Sequence, residues 1–357
     1  MRRALLLVLV MACGGDDSTT SDGGADSTSP NDAGIDTISD SGIIPNPNAG
    51  QFHQVEAGLG FHAVSGTSAS DVWACANNGL AYWDGGGWSA VTTLNSNGCV
   101  DIWAGAPSSP DAGDDLWVVG WVGLGSPYSG QRKGGVWKNP TPGDAGQLNF
   151  VNVEATDIDH VWISSSTYPG TAPSDIWTYD GQNLVKDSPS DGGNSAFGYG
   201  VRVFAANDVW AAADIVAHKG NAGWTTVAGS GGALRMAVAG NSSSDLYIGS
   251  QGGIAYWDGQ NLTPVTVTWG DDAGAPSGIF VEDATQSEGI TFMAARLQSG
   301  TSALSGVVAL KNGKGVATVV TTSTNSIPRK IWASSATDIW MTDLSAGQLY
   351  RGSAYLP

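Results

Sequence analysis

The sequence is poor in charge, and what charge it has is mostly of one sign. Asp, Glu, Lys and Arg make up 13% of 357 residues, with 15 basic residues against 33 acidic ones. Basic residues cluster nowhere, which argues against nucleic acid and anionic lipid headgroups as partners. Glutamate is scarce: Glu56, Glu154, Glu282 and Glu288 are the only four, and the remaining 29 acids are Asp. The four histidines, His53, His62, His160 and His218, are scattered without ligand spacing, so no metal centre is expected. No P-loop, dinucleotide glycine pattern, Gly-x-Ser-x-Gly or His-Glu-x-x-His is present, and no cofactor is expected. No stretch sustains a helical period.

What the sequence has is repetition. An acid, an aliphatic and an aromatic recur as Asp71-Val72-Trp73, Asp115-Leu116-Trp117, Asp208-Val209-Trp210, Asp245-Leu246-Tyr247 and Asp338-Ile339-Trp340, with His160-Val161-Trp162 as a variant. The aromatics are 44, 45, 48 and 37 residues apart, and then 93, so a degenerate copy is expected near Gly289-Ile290-Thr291-Phe292-Met293. Seven units of about 45 residues are the period of a four-stranded propeller blade. Short apolar runs separated by Gly, Asn, Asp and Ser clusters fit an all-β chain. The expected fold is therefore a seven-bladed β-propeller of four-stranded antiparallel blades over residues 51–357.

Within a unit, Phe61 to Gly66, Asp71 to Ala76, Leu80 to Trp83 and Trp88 to Thr92 read as successive strands. Asp84-Gly85 makes a hairpin turn that recurs at Asp180-Gly181 and Asp258-Gly259, and as Asn312-Gly313 in the sixth unit. The separations Trp73 to Asp84, Tyr247 to Asp258 and Trp340 to Arg351 are all 11. The repeated Asp is expected to accept backbone N–H groups and fix the turn, and the repeated Trp to pack between blades. Residues 51–58 read as a spare fourth strand that closes the ring against residues 348–350, with Ser353–Leu356 competing for that role. Cys75 lies on the second strand of one blade and Cys99 opens the first strand of the next, both toward the same face of the ring, and they could form a disulfide or remain buried thiols.

The pattern Val64-Ser65-Gly66-x4-Asp71-Val72-Trp73-Ala74 followed by Trp83-Asp84-Gly85-Gly86-Gly87-Trp88 resembles the repeats of propeller lipoproteins from soil deltaproteobacteria. More distantly it is similar to Asp-box and photosystem-assembly-type propellers. The N-terminus agrees with the first resemblance. Arg2-Arg3 precede a short apolar run that ends at Val10-Met11-Ala12-Cys13, which resembles a bacterial lipobox. The resemblance implies a signal peptide over residues 1–12, lipid attachment at Cys13, and a place at the outer membrane or cell surface. Residues 13–50 then form a tether: from 14 onward they carry seven Asp, no Lys or Arg, and too little apolar surface to fold.

In a propeller the first strand of each blade lines the central channel. Those strands carry His62, Asp101, Glu154, Arg202, Arg235, Glu282 and Lys330, while neighbours such as Ala63, Ile102, Val203 and Ile331 are apolar. Either opposite charges pair across the channel, or Arg202, Arg235 and Lys330 form a cationic patch for an acidic ligand. Asp-rich loops at Asp111–Asp115, Asp144 and Asp271–Asp272 have the oxygen chemistry of calcium sites. They lack the bidentate Glu of the full loop pattern, so they are read as solvated insertions. Two functions follow: a monomeric, membrane-tethered module that binds a protein or glycan, or an exported hydrolase or lyase acting on carbohydrate. Arg, Glu and Tyr converging at the channel mouth would favour the enzyme, and an aromatic rim would favour binding.

Overall fold

A computed structural model of the protein describes residues 51–357, apart from 57–58, 78, 92–97, 108–112, 124–125, 141, 143–147, 168–174, 189–196, 214, 228–234, 271–273, 322, 324–325 and 346, and the side chains of 56, 167, 197–199 and 235. The expected signal segment, Cys13, the tether, Asp111, Asp144, Asp271 and Asp272 lie outside the described residues.

Seven sheets, each with four antiparallel strands, form a closed ring. The inner strands are Phe61–Ser68, Cys99–Gly105, Leu148–Asp157, Phe197–Ala205, Arg235–Ser242, Gly278–Ser287 and Pro328–Ser335. Each contacts the inner strands of the blades before and after it, and the seventh contacts the first. Blade one continues outward through Asp71–Ala76, Gly79–Trp83 and Trp88–Val91. Blade six departs from four strands. Thr266–Trp269 adds a fifth at its outer edge, running parallel to Lys314–Thr321 with Thr266 opposite Lys314.

The ring is closed by its two ends. Phe52–Glu56 pairs antiparallel with Leu349–Gly352, placing Phe52 opposite Gly352 and Gln54 opposite Tyr350. The last residues take another course: Tyr355 N donates to Thr318 Oγ1 at 2.9 Å, and Ala354 is buried in the seam between blades six and seven. The N-terminal strand is thus the outermost strand of blade seven, and the first and last segments of the ring are held in one sheet.

Seven hydrophobic clusters fill the seven seams, and each holds one repeated aromatic. Trp73 lies between blades one and two, Trp117 between two and three, and Trp162 between three and four. Trp210, Tyr247, Phe292 and Trp340 occupy the remaining seams. Phe292 is thus the aromatic of the degenerate copy.

The repeated Asp is held differently from the expectation. Its commoner donors are side chains: Thr67 to Asp71, Asn241 to Asp245 at 2.7 Å, and Ser334 to Asp338, each four residues back. Asp115 does accept a backbone N–H, from Gly134 at 3.1 Å. The third strand adds a partner that sequence reasoning missed. His218 bonds Asp208 at 2.9 Å and stacks on Trp210 with centroids 4.6 Å apart, while Arg351 bonds Asp338 and lies 4.6 Å over Trp340. Tyr82 on Trp73 and Tyr256 on Tyr247 take the same place with tilted rings, centroids 4.7 and 4.9 Å apart.

The hairpin signal reads correctly. Asp84, Asp180 and Asp258 each accept two backbone N–H groups from the turn that follows, and these bonds hold all three carboxyls below the usual range. Gly85, Gly181 and Gly259 take φ of 92°, 92° and 93°, open only to glycine at little cost. The third spacing of 11 is a coincidence: Arg351 sits in a strand directly opposite Trp340, not in a turn.

Candidate functional site at the ring axis

Register against the repeated aromatics sorts the inner strands into tiers. Opposite the aromatics stand Ser65, Trp103, Glu154, Arg202, Ala239, Thr285 and Trp332. Two residues earlier on each strand, and so on the same face, come Ala63, Asp101, Asn152, Gly200, Ala237, Asp283 and Lys330. Members of both tiers line an axial cavity of about 250 Å3.

The earlier tier is a closed polar network. Lys330 Nζ lies 2.9 Å from Asp101 Oδ2 and 3.7 Å from Asp283 Oδ1. Asp101 Oδ2 also accepts from Asn152 Nδ2 and Val153 N, both at 3.0 Å. Asn152 Oδ1 accepts from Val201 N at 3.3 Å, and Asp283 Oδ2 from Ile331 N at 2.9 Å. Five blades (two, three, four, six and seven) are joined through these groups. Blades one and five contribute Ala63 and Ala237, and blade four Gly200, where a Cβ would fall 2.8 Å from the Ala237 Cα. Burial pushes Asp283 up to about 6, against the pull of Lys330. Burial alone would lower Lys330, but Asp101 and Asp283 together outweigh it and hold the ammonium above its ordinary range.

The tier level with the aromatics faces the cavity with a different set. Arg202 Nη1 donates to Glu154 Oε1 at 2.6 Å, and its Nε has no hydrogen-bond partner among the described residues. Burial raises Glu154, and the Arg202 charge opposes that rise. Trp103 and Trp332 are only partly buried and flank the cavity from blades two and seven. Gly66 makes room for Trp332, since a Cβ there would fall 2.9 Å from the indole ring.

The residues singled out from sequence are thus divided. Asp101, Glu154 and Arg202 line the axial cavity, and Lys330 is bound to two of its carboxylates. Glu282 does not share that network. A bulge between Val281 and Asp283 displaces it, its carboxylate pairs with Arg296 at 2.9 Å, and Asp283 takes the inward position. His62, in the bulge between Phe61 and Ala63, lines a separate cavity with Arg329. Arg235 lies on the inner strand of blade five, and its side chain is outside the description. Of the three cations considered as a patch, Arg202 and Lys330 are each paired with carboxylates. Cys75 and Cys99 are joined, with Cα atoms 5.6 Å apart, and tie blade one to blade two. Asp114 and Asp115, from the Asp-rich loop, are buried. Asp114 Oδ2 accepts from Trp73 Nε1 at 2.6 Å, and Arg132 lies 5.6 Å over the same indole.

With this geometry defined, solved propellers align along most of the chain. A structure of YCF48 bound to D1 peptide matches at a TM-score of 0.55 with 15% identity, over 87% of this chain and 97% of that one. YCF48 from Cyanidioschyzon merolae gives 0.55 and 14%, over 85% and 98%. The likeness is one of fold. The extracellular domain of the hybrid two-component system BT3049 from B. thetaiotaomicron gives 0.59 at 10% identity, over 85% of this chain but 41% of the other. No protein-family model matches the chain, and no curated protein matches it in sequence.

Proposed function

We propose that the ring is a binding module for a protein segment or glycan, held at the outer membrane or cell surface by a lipid on Cys13 and the tether 13–50. The observation that carries the binding reading is the mouth of the axial cavity. There the partly buried indoles of Trp103 and Trp332 line the cavity beside the Arg202–Glu154 pair. Indole faces take up sugar rings and aromatic or aliphatic side chains, and a paired Arg and Glu supply both donors and an acceptor at the rim. A carbohydrate hydrolase would favour Arg, Glu and Tyr converging there. Among the described lining residues no Tyr joins Arg202 and Glu154. Peptide recognition has a precedent in the fold, since one of its solved neighbours holds a peptide.

The test is an array of oligosaccharides and of peptides probed with the purified protein and with Trp103→Ala and Trp332→Ala. A ligand retained by the wild type and lost by both variants, with their thermal unfolding still cooperative, supports the axial site. Equal retention by all three proteins, or no retention by any, rejects it.

A further inference from the structure

A second cavity, of about 300 Å3, lies at the opposite end of the inner strands, where blades seven, one and two meet. Its lining includes His62, Asn77, Cys99, Trp121 and Arg329. Arg329 is distinctive among the five arginines whose side chains are described. Arg202, Arg296 and Arg351 each pair with a carboxylate, and Arg132 donates to the Asp114 carbonyl beside that residue's carboxyl. Arg329 instead meets a neutral ring: its Nη1 lies 3.0 Å from His62 Nδ1. A guanidinium can only donate, so Nδ1 must accept, and the imidazole proton resides on Nε2, which donates to Asn77 Oδ1 at 2.7 Å. Burial and the Arg329 charge both disfavour a second proton on His62, and burial likewise works against the Arg329 charge. The acid that acts on Arg329 electrostatically is Asp101, whose Oδ2 is already shared among Lys330, Asn152 and Val153.

A partly buried cation with no carboxylate bonded to it among the described residues is costly, and the cost falls when an anion is bound beside it. The walls are built to hold one shape. The Cys75–Cys99 bond fixes the wall of blade two. Gly98 and Gly120 let its strands approach so closely that a Cβ on Gly98 would fall 1.7 Å from the Trp121 carbonyl oxygen. With one Nη1 donor directed at His62, the remaining edge of the guanidinium is a fork matched to a planar oxyanion. We propose that the His62–Arg329 cavity is a carboxylate-binding site, taking an acidic side chain or an acidic sugar. It is a different site from the axial mouth and does not depend on the function assigned there.

Calorimetric titration of the full chain with acetate, N-acetyl-L-glutamate and D-glucuronate tests this, with N-acetyl-L-glutamine, D-glucose and inorganic sulfate as controls. The expected result is saturable binding of carboxylates at one site per chain, no binding of the neutral analogues, and at least a tenfold loss of affinity in Arg329→Gln. N-acetyl-L-glutamate against D-glucuronate tells a peptide source from a sugar source. In carboxylate-free buffer Arg329→Gln should unfold at the wild-type temperature or above, because it removes a charge that no described carboxylate pairs with; a purely structural arginine would leave it less stable. Trp103→Ala should leave the titration unchanged, which separates this site from the axial one. The proposal is overturned if no carboxylate binds saturably, if sulfate binds more tightly than the carboxylates, or if Arg329→Gln binds as the wild type does. Should Arg329→Gln fail to fold, His62→Gln serves in its place: it keeps the charge and should alter carboxylate affinity, and unchanged affinity counts against the site.

Discussion

At the scale of single residues, the seam aromatics and the buried carboxylates respond to different variables. Trp210 is fully enclosed between blades four and five, and removing it leaves a cavity that flat, hydrogen-bonded strands cannot close. Trp210→Ala should cost about 3–5 kcal/mol in denaturant unfolding. Trp103→Ala, at the edge of the axial cavity, should cost about 1–2 kcal/mol. Equal losses would show that Trp103 is as much a core residue as Trp210. The carboxylates respond to pH. Asp283 and Asp114 are each pushed up to about 6, first by burial. Between the ordinary Asp value of about 4 and that raised value, the folded state keeps a proton that the unfolded chain has released. Their contribution therefore favours folding below this window and declines as pH rises through it. Asp283→Asn should accordingly gain in melting temperature relative to wild type between about pH 4 and about pH 7. A difference that stays constant over that range would show that burial does not govern this group.

At the scale of strands, the closing strand is the one whose loss changes the surface most. Without Phe52–Glu56, Leu349–Gly352 becomes the outermost strand and the apolar side chains that Phe52 and Val55 pack against are uncovered. Deleting residues 51–56 should lower the melting temperature and produce concentration-dependent self-association, visible by light scattering on a sizing column. Deleting 354–357 removes packing on blade six and leaves the closing pairs in place, so it should destabilise without association. A deletion of 51–56 that stays monomeric and equally stable would deny this strand its role. Strands also mark where the sequence ceased to be legible. Seven blades were readable because each seam needs one large apolar body, and the chain repeats it about every 45 residues, even as Phe292. The Asp-Gly turns were readable because their backbone demands glycine. The inward set at the axis was readable only in part. Bulges near the starts of the inner strands insert one residue without disturbing the composition, and each exchanges the two faces beyond it. That is why Asp283 stands where Glu282 was expected, and why the His62–Arg329 contact between residues 267 apart left no local trace. The parallel strand Thr266–Trp269 follows the fourth strand of blade five directly, and nothing in Thr-Val-Thr-Trp tells which sheet it joins.

At the scale of the whole molecule, the address and the ring are separable. On the proposed lipidation, Cys13→Ala should abolish metabolic fatty-acid labelling and release the protein from membranes, or stall its processing, without altering the unfolding of residues 51–357. Labelling that persists in the variant would refute the anchor. The ring's closure also has a consequence in time. Synthesis runs from the N-terminus, yet Phe52 finds its partner only when Gly352 exists. Six blades can assemble while the opening strand waits, and that last contact carries the largest loop-closure entropy in the chain. A chain halted anywhere before residue 349 therefore keeps Phe52–Glu56 without its partner strand, leaving exposed the apolar surface that proteases and chaperones engage. The fold thus registers its own progress: the opening strand is paired only once Leu349–Gly352 has been made, in a single final contact.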